Sequence, residues 1–253
     1  AVKLDGGVRC AGRSVPPALR QGRFAVGAVS HMSFGSRECF VDDRGAFCGQ
    51  TIGGADWGQP GRWKTVIASR DAGGACAVDV EGRVSCLGML RQAPLDTSDL
   101  RGVVDGALQS SIACFVVDDG TLTCMDDEGG QVLVPAQLDI VTDVAIAGQS
   151  ICAVHGEGAV DCWSTVNRPL ADVPVGLGPV AELQAGDDLM CALLRSQQTV
   201  CWSPTSGLGP TIPNVNGVTT HMSVFHDVVC TLEDKTPSCW RVGHTPVFSQ
   251  PLS

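Results

Sequence analysis

Apolar and polar residues alternate along this chain in short bursts, and the bursts recur. From Cys76 to Cys86 the order is Cys76-Ala77-Val78-Asp79-Val80-Glu81-Gly82-Arg83-Val84-Ser85-Cys86. An apolar pair, Ala77-Val78, leaves the first cysteine, Glu81-Gly82 offers a turn, and Val84 returns two residues before the second cysteine. The glycine can adopt positive φ, which tight hairpins need. Asp119-Gly120 and Glu157-Gly158 occupy similar places further on. Ahead of the first cysteine come strand-like runs of small residues, such as Val144-Ala145-Ile146-Ala147-Gly148 and Ala181-Glu182-Leu183-Gln184-Ala185-Gly186. Gly/Pro-rich stretches such as Ser203-Pro204-Thr205-Ser206-Gly207 follow the second cysteine. They have room for an outer strand and a crossing. Helical periodicity is weak everywhere, so the pattern predicts about four short strands per unit.

The cysteines set the period. Cys10, Cys48, Cys86, Cys124, Cys162, Cys201 and Cys239 lie 38, 38, 38, 38, 39 and 38 residues apart. A second series, Cys39, Cys76, Cys114, Cys152, Cys191 and Cys230, precedes members of the first by nine or ten residues. In a hairpin the two cysteines face each other on neighbouring strands. A non-hydrogen-bonded pair brings its Cα atoms to about 4.5 Å, within reach of a disulfide. A period of this length with four short strands reads as a β-propeller blade. Complete repeats span 11–48, 49–86, 87–124, 125–162, 163–201 and 202–239. Residues 240–253 plus 1–10 fall short of a seventh repeat. The expectation is a single all-β domain, 1–253, forming a seven-bladed propeller. Its last blade is shared by the two termini and incomplete here. A closed ring removes the bare strand edges of an open array.

Composition narrows the setting. Among 253 residues stand 31 Gly, 14 Pro and 13 Cys, with 44% hydrophobic and 17% charged. The cysteine content points to disulfides in an oxidising compartment: extracellular, cell surface or secretory lumen. No Cys-x-x-Cys pair suggests zinc. The formal net charge of −10 argues against nucleic acid, which requires clustered Lys and Arg. No run of 18 apolar residues exists to insert in a membrane.

Gly148…Cys152-Ala153-Val154…Gly158…Cys162-Trp163 follows a recognisable order, as do Gly186…Cys191-Ala192-Leu193…Cys201-Trp202 and Cys230-Thr231-Leu232…Cys239-Trp240. These repeats resemble those of the regulator-of-chromosome-condensation superfamily, and within it the disulfide-containing extracellular branch that includes ectodomains of Crinkly-type plant receptor kinases. The resemblance implies a propeller and says little about function, since members include exchange factors, light receptors, enzyme inhibitors and receptor ectodomains. The chain departs from the pattern in placing Ala11, Gly49, Leu87 and Met125 where the other units carry tryptophan, and it has no tyrosine. Tryptophan-based light reception is therefore not expected, nor is nuclear work.

No phosphate loop, nucleophile elbow or His-Glu-x-x-His motif is present. Acidic clusters stand at Asp42-Asp43, Asp118-Asp119, Asp126-Asp127-Glu128 and Asp187-Asp188. Such clusters can serve Ca²⁺ or a glycoside-cleaving dyad. The first two sit in or beside hairpin turns, where Asp is favoured for local hydrogen bonding. Of the histidines, His31, His155, His221, His226 and His244, the pair His221 and His226 falls in one predicted strand region. Five apart, they point to opposite faces and make a poor metal pair. Trp163, Trp202 and Trp240 are read as packing between blades. Trp57 and Trp63 sit in Gly53-Gly54-Ala55-Asp56-Trp57-Gly58-Gln59-Pro60-Gly61-Arg62-Trp63, the most loop-like segment carrying aromatics, and are the candidates for anchoring a partner or stacking on sugar.

The predicted bridges are Cys39–Cys48, Cys76–Cys86, Cys114–Cys124, Cys152–Cys162, Cys191–Cys201 and Cys230–Cys239, leaving Cys10 over. Three readings of Cys10 stay open: its partner lies in missing chain, it is a free thiol, or it bridges to another chain. The expected function is an extracellular recognition or scaffold propeller that binds protein, without catalysis and without a cofactor. The alternatives are a carbohydrate-binding propeller and a secreted enzyme or enzyme inhibitor.

Overall fold

The computed structural model describes residues 31–34, 37–50, 57–69, 74–87, 97–109, 111–126, 130–165, 173–204, 219–233, 236–241 and 246–249. Cys10, the rest of 1–30, the terminal residues 250–253 and His244 lie outside them, as do the side chains of His31 and Trp57. Every regular element among the described residues is a strand.

The chain divides into two compact units. The first, built mainly from residues 1–104, contains two antiparallel sheets. One is β1 (His31–Phe34), β2 (Arg37–Asp42), β3 (Gly45–Gln50) and β4 (Trp57–Pro60); the other is β5 (Trp63–Ala68), β6 (Ala75–Asp79) and β7 (Val84–Leu87). Most of the second unit is residues 131–253. Its sheets are β8 (Val103–Gln109) to β11 (Gln131–Val132), β12 (Val141–Ala147) to β14 (Ala159–Ser164), β15 (Val180–Ala185) to β17 (Thr199–Trp202) and β18 (Thr219–Phe225) to β21 (Pro246–Ser249). Within them, β9 is Ile112–Val117, β10 Leu122–Asp126, β13 Ser150–His155, β16 Met190–Leu194, β19 Val228–Glu233 and β20 Thr236–Arg241. Each sheet is a meander of sequential neighbours. Sheet and cysteine repeat are offset: β4, β11 and β21 follow the second cysteine of a repeat yet complete the sheet before it.

All six bridges form between the cysteines paired by the sequence pattern. The partners stand directly opposite, as Cys152 does to Cys162, with Cα atoms 4.0 to 4.1 Å apart. Cys39–Cys48, Cys114–Cys124 and Cys191–Cys201 are buried at both ends, and each of the other bridges has at least one partly buried cysteine. In the first unit Cys39, Cys48, Val41 and Ala46 meet Val66, Ala68, Ala75 and Ala77. In the second, Ala145, Ala147 and Val154 meet Leu183, Ala185, Met190, Ala192 and Trp202. On the next face Cys191, Leu193 and Cys201 meet Met222, Val224 and Val229. The small side chains let neighbouring sheets approach closely, while each fully buried Leu or Met contributes about 1.5–3 kcal/mol. Trp202 lies in one such layer and Trp240 packs against the next, so these tryptophans serve packing, as the repeat predicts.

A hydrogen-bond belt joins consecutive sheets at their hairpin-turn ends. In the second unit the N–H of Val141 donates to the Gly120 carbonyl (3.0 Å), Val180 to Gly158 (2.9 Å) and Thr219 to Gln197 (3.2 Å). Val103, which with Val104 belongs to the first unit although it opens β8, donates to Gly82 at 3.0 Å. The turns reach back as well, Gly156 N–H to Ile140 (3.0 Å) and Arg195 N–H to Pro179 (2.8 Å). The turn carbonyl belongs to a positive-φ residue each time: Gly82 at +74°, Gly120 at +83°, Gly158 at +104° and Gln197 at +66°.

Candidate interaction surface

The Trp57–Trp63 segment is not a loop. Trp57 opens β4 and Trp63 opens β5, leaving only Gly61 and Arg62 between strands. Pro60 is tolerated because β4 is an edge strand, where a missing N–H costs no ladder bond. Trp63 is partly buried against the first unit's core, and its Nε1 donates to the Gln59 carbonyl at 2.9 Å.

Of the acidic clusters, Asp42, Asp119, Asp126, Asp187 and Asp188 are engaged by hydrogen bonds or ion pairs, and Asp127 and Glu128 lie outside the described residues. Asp42 Oδ1 accepts from the backbone N–H of Arg44 (2.8 Å) and Gly45 (3.2 Å), and Oδ2 from Arg44 Nε (2.9 Å). Burial opposes ionisation of Asp42, but these bonds and the Arg44 charge together hold its carboxyl below the usual range. Asp79 repeats the device with Glu81 and Arg83, and Asp119 and Asp126 accept from the N–H of Thr121 and Gly130. Asp187 pairs with His226 Nδ1 at 2.6 Å, and Asp188 accepts from Ser203 Oγ at 2.9 Å. His226 sits in the turn after β18, at φ +53°, rather than in the strand. Among the described residues, no three Asp, Glu, His or Cys side chains are gathered to hold a metal ion.

Unabsorbed features cluster at the hairpin-turn end of the second unit. The β13–β14 turn, Gly156-Glu157-Gly158, lies between two connections, 130–140 and 173–179, and is hydrogen-bonded to the residues at their ends. These connections expose aliphatic side chains. Leu133 is 87% accessible, Ile140 59%, and Val175 is fully exposed. A groove of about 450 Å³ is lined by Val134, Pro135, Leu138 and Ile140, with Asp119 and Asp139 among its walls. Exposed Glu157 and Asp118 add negative charge at the same end. Isolated exposed aliphatics are ordinary on protein surfaces; exposed Ile140 in the lining of a groove with acidic walls, with Leu133 next to lining residue Val134, makes this end the candidate interaction surface. Cysteine spacing does not reveal it, because the connections vary between repeats.

A second feature is visible only when repeats are aligned on the first cysteine of each pair. Nine residues before Cys114, Cys152, Cys191 and Cys230 stand Asp105, Asp143, Glu182 and His221. In β12, β15 and β18 the ladder register shifts by one residue immediately before this place. A β-bulge of this kind re-aims the following side chain.

A scan against protein-family models finds no match, and no curated protein matches the sequence. Solved structures do match. The entire ectodomain of the Physcomitrella patens receptor kinase CR4 aligns over 97% of this chain and 70% of its own, at 21% identity and TM-score 0.71. The Crinkly WD40 ectodomain of the Arabidopsis thaliana receptor kinase ACR4 aligns over 90% of this chain and 100% of its own, at 14% identity and TM-score 0.53. Yeast RCC1 (Prp20), from a structure with bound Kap60, aligns over 85% and 70%, at 11% identity and TM-score 0.61. In fold this chain is thus similar to Crinkly-type receptor ectodomains and RCC1-type repeat proteins, with six disulfides suited to an extracellular branch.

Proposed function

We propose that this chain is an extracellular recognition propeller that binds a protein partner and does no chemistry of its own. The observation carrying this reading is the groove with acidic walls, lined by exposed Ile140 and by Val134, next in sequence to exposed Leu133. It fits a partner that presents aliphatic side chains flanked by Lys or Arg, which the net charge of −10 also favours. Six disulfides require an oxidising compartment, and receptor ectodomains with this fold support a place outside the cell. Residues 240–253 and 1–10 would close the ring as a seventh blade.

Screening the full chain against secreted and cell-surface proteins by crosslinking tests the proposal. A basic-aliphatic partner is expected, and the double substitution Leu133→Asp/Ile140→Asp weakens binding at least about tenfold, or 1.4 kcal/mol, without changing the Tm. A partner bound equally well by that variant overturns the surface assignment. Glycan binding lost on Trp57→Ala or Trp63→Ala would replace the protein-binding reading with the carbohydrate one.

A further inference from the structure

Alternation in the ladder decides which way the main chain of β11 faces. The Asp126 N–H donates to the Gly130 carbonyl at 2.9 Å. Cys124, two residues earlier in β10, therefore turns its N–H and C=O to the same side. Cys124 stands opposite Val132, so Val132 bonds inward to β10. Its neighbours Gln131 and Leu133 then turn their N–H and C=O away from β10. β11 is the last strand of its sheet, and among the described residues no strand lies beyond it. Natural edges of this kind are blunted by proline or by charge. The outer strands of the other four-stranded sheets both contain proline, Pro60 in β4 and Pro246 in β21. Gln131-Val132-Leu133-Val134 has neither proline nor charge, and its valines favour extended chain.

We propose that the partner is held by strand addition: an extended segment of alternating aliphatic and Lys or Arg residues lies along the outer edge of β11 and exchanges main-chain hydrogen bonds with Gln131 and Leu133. The proposal rests on the assignment of the groove at this end as the recognition surface.

The side chains beside the edge set the partner's chemistry. Val134 lines the groove together with Asp119 and Asp139, whereas Leu133 lies outside it and is 87% accessible. The two carboxylates are held in place by the N–H groups of Thr121 (2.8 Å) and Ile140 (2.9 Å) and stay exposed to solvent. Successive side chains of an extended segment point to opposite faces. One set therefore comes to the groove and its carboxylates, where Lys or Arg is favoured. The other set comes to Leu133, where an aliphatic side chain removes apolar surface from water. The main-chain bonds add affinity without regard to sequence, and the alternating side chains supply the choice of partner. A second copy of this chain would offer an uncharged edge and the same carboxylates in return, so it fits the site poorly.

Amide-resolved hydrogen exchange of the disulfide-intact chain by NMR tests this, with an end-blocked heptapeptide of alternating Lys and Val as the probe. In the free protein the Val132 amide exchanges slowly and those of Gln131 and Leu133 quickly. Bound peptide slows Gln131 and Leu133 at least about tenfold and leaves Val132 unchanged. Leu133→Pro removes an outward donor without breaking a ladder bond to β10. It should weaken peptide binding about threefold to tenfold more than Leu133→Ala, which removes the side chain alone. Slow exchange of Gln131 and Leu133 in the free chain overturns the proposal, because the chain then covers its own edge. Slowing that follows chain concentration without peptide does so too, because the occupant is then a second copy. Peptide binding that weakens in Leu133→Asp/Ile140→Asp but leaves Gln131 and Leu133 unprotected overturns strand addition while the surface assignment stands. A peptide that does not bind, or binds that double variant as well as wild type, overturns the surface assignment and strand addition with it.

Discussion

Gly158 tests how far the belt between sheets holds the second unit together. A Cβ placed there would lie 2.8 Å from the Val180 carbonyl oxygen and 2.9 Å from its nitrogen. Those atoms are backbone and cannot swing aside, so Gly158→Ala must push away β15 and stretch the bond from the Val180 N–H to the Gly158 carbonyl. Two costs add. An L-residue at φ +104° is strained by about 1–2 kcal/mol, and a buried backbone group left unpaired costs about 1–3 kcal/mol. The expected loss is about 2–5 kcal/mol in all. Gly176 supplies the control, since its φ of +79° is also positive but nothing lies within 4 Å of its would-be Cβ. Gly176→Ala bears the strain alone, about 1–2 kcal/mol. The reduction of unfolded-chain entropy is common to both substitutions and cancels between them. Urea midpoints at constant m-value give the two losses. If Gly158→Ala costs no more than Gly176→Ala, close approach at the turn is not what joins these sheets.

Further perturbations probe the layers between sheets. Thr199 and Thr219 are buried with hydroxyls lacking a partner, at places where other sheets carry buried Leu122 or Val141 and Val180. Thr199→Val and Thr219→Val should therefore each raise stability by about 1 kcal/mol, read from the denaturation midpoint; a loss would show that the hydroxyls are satisfied. Replacing Cys152 and Cys162 together by Ala opens a loop of sequence separation 10 and should cost about 2–3 kcal/mol, measured by thermal melting without reductant. Asp79 is held below the usual carboxyl range, where burial is outweighed by bonds from Arg83 and Glu81 and by the Arg83 charge. Its contribution is present above about pH 4 and lost as acid protonates it. Asp79→Asn should accordingly be less stable at neutral pH and show a shallower acid transition by circular dichroism.

What the sequence makes legible here is whatever repeats and is local. A cysteine pair nine or ten residues apart fixes strand, turn and register together, because opposing cysteines permit only one alignment of the hairpin, as at Cys191 and Cys201. The glycine of Glu157-Gly158 is legible as a turn residue, but its closeness to Val180 is not, since that contact depends on how the next sheet packs. His226 adopts positive φ without glycine, a conformation open to His more than to most residues, so the turn leaves little trace and the strand reads as longer than it is. Asp105, Asp143 and Glu182 keep a constant offset from their cysteines, yet nothing in the offset shows that Asp143 accepts the Leu183 N–H of the next sheet. The interaction surface inverts this logic. The residue just before an inner strand is Gly102 ahead of β8 and Pro179 ahead of β15, but exposed Ile140 ahead of β12. A repeat specifies its fold through positions that stay the same. Recognition of one partner requires positions that differ, and the proposed interaction surface draws on such positions in the connections at the hairpin-turn end.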